Sequence, residues 1–148
     1  MSISKYNSEG YYDPTTYEAL KNIEMEERKM AGLYKPDEFR PLVYICSPYR
    51  GDTEKNTEKA RKYSRFAVES KAIPMTPHLL YPQFMDDSNP EERYLATHII
   101  NYVLIGKCQE MWVFGEDISE GMGREIALAE KRRMKIRYFT ETMEEAKR

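Results

Sequence analysis

The chain is sparing in cysteine, in net charge and in uninterrupted apolar sequence, and each shortage argues against a class of protein. Only two cysteines, Cys46 and Cys108, occur in 148 residues. Both sit inside apolar segments and neither has a partner at C-x-x-C spacing, so a disulfide scaffold or zinc ribbon is not expected and buried free thiols are. The formal net charge is -2 and the pI is near 5.8, which leaves no global positive field to hold a nucleic-acid polymer. The basic run Lys131, Arg132, Arg133 falls near a predicted helix end, where cations suit the negative pole of the dipole. No apolar run approaches the ~20 residues needed to span a membrane. The N-terminal MSISKYNSEGYY has no signal-peptide core, which predicts an intracellular, cytoplasmic protein. Internal repeats and low-complexity tracts are missing, as are the P-loop pattern G-x-x-x-x-G-K-[ST] and the dinucleotide fingerprint G-x-G-x-x-G.

What is present describes one soluble globular domain. The hydrophobic fraction is 41% and the charged fraction 32%, and the length suffices for a single core without covalent staples. Residues 1–40 read as an N-terminal helical extension. Within them Tyr17, Leu20, Ile23 or Glu24, and Arg28 approximate helical spacing, which predicts one amphipathic helix near residues 15–31, ended by Gly32 and able to pack on the core or on a partner subunit.

Residues 41–148 alternate between strand and helix patterns. Leu42 to Cys46 form a short apolar run between Pro41 and Pro48, the signature of a strand buried on both faces. The charged stretch that follows carries Ala60, Tyr63, Phe66, Ala67 and Ser70 at helical spacing. AIPMTPH is a second strand, leading into the loop HLLYPQFMDDSNPEE. Pro90 to Lys107 reads as a helix with Leu95, Ile99, Tyr102 and Val103 on one side. EMWVFG is a third strand, with Met111, Trp112 and Phe114 assigned to the core; SEGMGREIALAEKRRM is a helix and KIRYF the closing strand. The alternation predicts an α/β fold, a Rossmann-like (flavodoxin-like) three-layer sandwich with a parallel sheet of about four or five strands. Ligands bind such sheets beyond the carboxyl ends of the strands. That points to three loops: Ser47 to Asp52, Thr76 to Asp87, and Gly115 to Glu125.

In the first loop, Ser47, Tyr49, Arg50 and Gly51 stand where a helix begins, either as an anion cradle or as a plain Pro-Gly turn with Arg50 on the surface. In the third, Gly121 and Gly123 permit close backbone approach, Ser119 can cap the helix, and Glu125 is assigned to its first turn. Glu125 there either serves chemistry or interacts with the macrodipole. His78, just after the second strand, can reach the same mouth or pack locally. Asp86 and Asp87 read as solvated loop carboxylates, and His98 receives no role.

The three motifs YICSPYRG, TPH and SEGMGREIALA, in that order, resemble the nucleoside 2-deoxyribosyltransferase-like superfamily, and within it the branch of deoxynucleoside 5'-monophosphate N-glycosidases. The resemblance spans roughly Val43 to Phe139. It implies that Glu125 is a nucleophile attacking C1' of the deoxyribose and that Ser119 binds a 5'-phosphate. It also implies that Ser47, Tyr49, Arg50, Gly51, His78, Gly121 and Met122 surround the nucleotide. At the position of the superfamily's helper aspartate stands Asn101, an amide that cannot deliver a proton. The implied activity is base release from a (deoxy)nucleoside 5'-monophosphate, as a hydrolase, or the related deoxyribosyl transfer, with no metal or organic cofactor. The alternative is a non-catalytic nucleotide sensor on the same scaffold. The resemblance further implies a homodimer or larger homo-oligomer.

Overall fold

A computed structural model describes residues 3–147. The chain divides into two compact units, Met1–Phe39 and Arg40–Arg148. In the first, helix α1 spans Pro14–Leu33. Asp13 caps it by accepting from the Thr16 amide at 3.0 Å, and Pro14 fits the first turn, where a missing N–H costs nothing. The helix runs through Gly32, which keeps a negative φ, and ends where Tyr34 turns extended. The stop therefore comes two residues before Pro36, not at the glycine.

The second unit is a five-stranded sheet with strand order β2-β1-β3-β4-β5. Strands β1 (Leu42–Cys46), β2 (Ile73–Met75), β3 (Glu110–Phe114) and β4 (Lys135–Phe139) are parallel. The edge strand β5 (Glu145–Ala146) pairs antiparallel with β4, an addition that the sequence pattern did not contain. Strand alternation divides the core into two layers. Val43, Ile45, Trp112 and Phe114 face α2 (Thr53–Glu69) through Tyr63 and Ala67. Tyr44, Cys46, Met111 and Val113 face α5 (Asn101–Lys107) and α6 (Glu120–Lys131) through Ile105, Met122 and Ala129. This is the expected α/β/α sandwich, with Met111, Trp112 and Phe114 in its core. Both cysteines are free and buried.

Two segments depart from the sequence reading. The stretch after β2 is not a plain loop: it contains the short helix α3 (Pro77–Leu80) and a 3₁₀ turn, Tyr81–Gln83. The Pro90 to Lys107 stretch is helical throughout but not uniform, because α4 (Pro90–Tyr94) passes into a π-helical segment, Leu95–Ile100, before α5. Bonding from i to i+5 slips the phase of the helix. The expected stripe of Leu95, Ile99, Tyr102 and Val103 is consequently 43% to 51% exposed, while Asn101 and Ile105 turn inward. Among the described residues, no helix is long and apolar enough to cross a membrane.

Candidate functional site

In the order 2-1-3-4-5 the chain leaves β1 toward β2 and then crosses back to β3, so a crevice opens between the carboxyl ends of β1 and β3. A cleft of about 560 Å³ occupies it. Ser47, Tyr49, Arg50, His78, Asn101, Ser119, Gly121, Met122 and Glu125 all line this cleft. Gly51 does not. Its φ of +97° serves the turn into α2, a conformation that favours glycine, and a Cβ added there would meet nothing within 4 Å.

The loop after β1 is fixed by α2, whose Asn56 amide donates to the carbonyls of Tyr49 (3.1 Å) and Arg50 (3.0 Å). The first turn of α2 does not form an open anion cradle, because Asp52 caps it by accepting from the Lys55 amide at 3.1 Å. A carboxylate already occupies the positive pole there. Arg50 instead reaches across the cleft mouth to Asp87 at 3.9 Å, an exposed and weak pair. His78 stacks on Tyr49 with centroids 4.9 Å apart and planes 6° off parallel. Its Nε2–H donates to the Ser47 carbonyl at 3.1 Å. Burial holds its pKa below the ordinary value, opposed by that hydrogen bond and by Asp87, so His78 is a neutral, fixed wall of the cleft.

The opposite wall begins at α6. Gly115, with φ +93°, turns the chain out of β3, and Ser119 caps the helix by accepting from the Met122 amide at 3.2 Å. This cap is uncharged, so the positive pole of α6 faces the cleft with only the Glu120 carboxylate in its first turn. Gly121 adds room: a Cβ there would find open space.

Because α6 starts at Glu120, Glu125 lies in its second turn, not the first. One turn deeper, its carboxyl is driven between the sheet and the helix. Oε2 is buried and has no hydrogen-bond partner. Burial pushes the Glu125 pKa up to about 7, with partial relief from Tyr44, Cys46 and Arg124. Tyr44 Oη is also buried without a hydrogen-bond partner, so its relation to Glu125 is a near contact and not a formed bond. The Cys46 thiol points to the Met122 carbonyl at 3.9 Å. Burial first, and the Glu125 charge second, raise both the Tyr44 and Cys46 pKa values. Two weak donors thus stay protonated beside a carboxyl poised to ionise near neutrality.

Buried polar atoms without partners cluster here. Ser47 Oγ and Asn101 Oδ1 share that state with Tyr44 Oη and Glu125 Oε2, and no others do among the described residues. Such groups are costly in a folded chain and collect where a ligand satisfies them. At the cleft mouth, hydrogen bonds from the Ser88 side chain and backbone lower the Asp86 pKa, which favours the carboxylate.

Tyr44 and Cys46, beside Glu125, were read only as core, yet their even parity on β1 puts both on the α6 face, and that parity was legible. Glu92, Arg93, Thr97 and His98 line the cleft. Glu92 and Arg93 come from α4, and Thr97 and His98 from the π-wound Leu95–Ile100, whose shifted phase no 3.6-residue periodicity reveals.

Residues 41–139 match the family described as a domain of unknown function, DUF7768. The chain belongs to the DUF7768 family. The matched span contains β1 to β4 and every cleft residue named above, while α1 lies outside it. No curated protein matches the chain. Within the DUF7768 domain the cleft therefore sits wholly on the shared scaffold.

Proposed function

We propose that the cleft is the active site of an N-glycosidase that releases the base from a (deoxy)nucleoside 5'-monophosphate, with deoxyribosyl transfer as its close variant. The observation that carries this reading is the Glu125 carboxyl: buried, unpartnered at Oε2 and raised to about 7 at the sheet's carboxyl edge. A carboxylate stripped of water and hydrogen bonds is a stronger nucleophile than a solvated one. It attacks C1', the base departs, and a glycosyl ester forms; water or a second base then releases the sugar. No metal or organic cofactor is called for in these steps. The uncharged Ser119 cap and the α6 N-terminus suit the 5'-phosphate, with Arg50 on the facing loop. The Tyr49–His78 stack offers a flat aromatic wall for the sugar or base.

The reading extends to assembly and compartment. The exposed apolar stripe of Leu95, Ile99, Tyr102 and Val103 beside the cleft supports a homodimer or larger homo-oligomer. A cytoplasmic location suits both a nucleotide substrate and the two free thiols.

Incubation with a panel of nucleoside 5'-monophosphates, followed by chromatography for free base, tests the proposal. Free base from a deoxynucleotide supports it. A second reading, a nucleotide sensor, is favoured by Asn101, which stands in the cleft where an acid is needed. It predicts tight nucleotide binding with no base released.

A further inference from the structure

A departing base carries the electron pair of the broken C1'–N bond and needs a proton. Among the groups lining the cleft, Asn101 has none to give, Asp86 is held toward its carboxylate by Ser88, and His78 is buried and neutral with its single N–H committed to the Ser47 carbonyl. His98 differs from all three. It lies one helical turn before Asn101 and lines the same cleft as Glu125. Its ring stacks on Tyr94, with centroids 4.3 Å apart and planes 8° off parallel. The Thr97 hydroxyl donates its one proton to the Arg93 carbonyl at 2.8 Å. The 2.8 Å contact between Thr97 Oγ1 and His98 Nδ1 therefore has Nδ1–H as the donor. That fixes the tautomer: Nδ1 keeps its proton, and Nε2 is the nitrogen left to exchange one.

We propose that His98 Nε2 is the general acid of this site, standing in for the carboxylic acid that Asn101 replaces. The inference rests on the glycosidase reading and deepens it. The Glu125 carboxylate forms the ester bond to C1', the C1'–N bond breaks with its electron pair going to the base, and the imidazolium Nε2–H protonates that base. In the second half, water attacks C1', the ester bond returns its electrons to Glu125, and the proton lost by water goes back to Nε2. The sum is nucleotide plus water giving free base plus sugar phosphate. The substrate class follows: nucleotides whose base leaves as an anion unless protonated.

The test compares deoxyguanosine 5'-monophosphate with its N7-methylated form, whose base leaves neutral and needs no proton. His98→Gln should slow guanine release by about 10² to 10⁴-fold and 7-methylguanine release by less than about 10-fold, with an unchanged melting temperature showing the fold intact. Glu125→Gln should lose both. Equal losses on the two substrates in His98→Gln, or no loss on either, would overturn the acid role while leaving the glycosidase reading standing. A wild-type protein that releases neither base faster than Glu125→Gln overturns that reading, and the acid role with it.

Discussion

Replacing Glu125 by glutamine removes one ionisation from the core while keeping the side chain's shape, and its effect on stability can be worked out in sign and size. In the unfolded chain the carboxyl titrates near 4.5; in the folded chain burial raises it to about 7. The folded state thus holds a proton that the unfolded state has already released. A raised folded pKa contributes stability that is full below about 4.5 and is lost as pH rises through about 7. At about 1.4 kcal/mol per unit, this single group costs the protein about 2 to 3 kcal/mol between about pH 5 and about pH 8. Urea unfolding followed by the fluorescence of Trp112, the one tryptophan and a buried one, measures the difference. All other titrations are common to both proteins and cancel when wild type is compared with Glu125→Gln. The wild type should lose about 2 to 3 kcal/mol more than the variant over that interval. A pH dependence equal in the two proteins to within about 0.5 kcal/mol would mean that Glu125 is solvated in the native state, and the argument from burial would fall.

The same ionisation sets a pH dependence of activity in the opposite sense: the nucleophile is the carboxylate, so on the N7-methylated nucleotide, whose base needs no acid, kcat/KM should climb as pH rises through about 7, and a rate flat across that interval on that substrate would count against Glu125. Ser119→Ala should weaken binding of a deoxynucleoside monophosphate by roughly 10-fold or more, the value of a hydrogen bond to a charged group, while the unphosphorylated deoxynucleoside binds as before in calorimetry. The same variant should lose about 1 kcal/mol of stability with the helix cap. Asn101→Asp should raise base release if proton delivery is limiting, within the ~10² to 10⁴-fold range of general acid catalysis; an unchanged rate would show that it is not. Ile99→Glu, on the exposed apolar stripe, should shift a homo-oligomer to monomer in light scattering, and an unchanged mass would remove that face from the interface.

Much of the fold was legible because burial on both faces leaves a simple mark. The run Leu42–Cys46 is apolar at every position since helices cover the sheet on both sides, and Met111–Phe114 follow the same rule, whereas β4 breaks it with Lys135 and Arg137 and is only partly buried. The edge strand β5 was not legible: two residues, Glu145 and Ala146, carry no pattern and become a strand only by pairing with β4. The cleft was legible where motifs follow strand ends, which brought Ser47, Arg50, His78, Ser119 and Glu125 together on one crevice. It was hidden along Pro90 to Lys107, where one π-wound segment rotates Thr97 and His98 toward the cleft and leaves the apolar stripe outside. The depth of Glu125 was also hidden, because it depends on where Ser119 starts the helix.

Base release under single-turnover conditions, with wild type and Glu125→Gln given the same deoxynucleoside 5'-monophosphate, tests the central claim most directly, because it isolates chemistry from product release. The account predicts that wild type frees the base while Glu125→Gln binds the nucleotide nearly as well and frees none. Release by Glu125→Gln at the wild-type rate would contradict it.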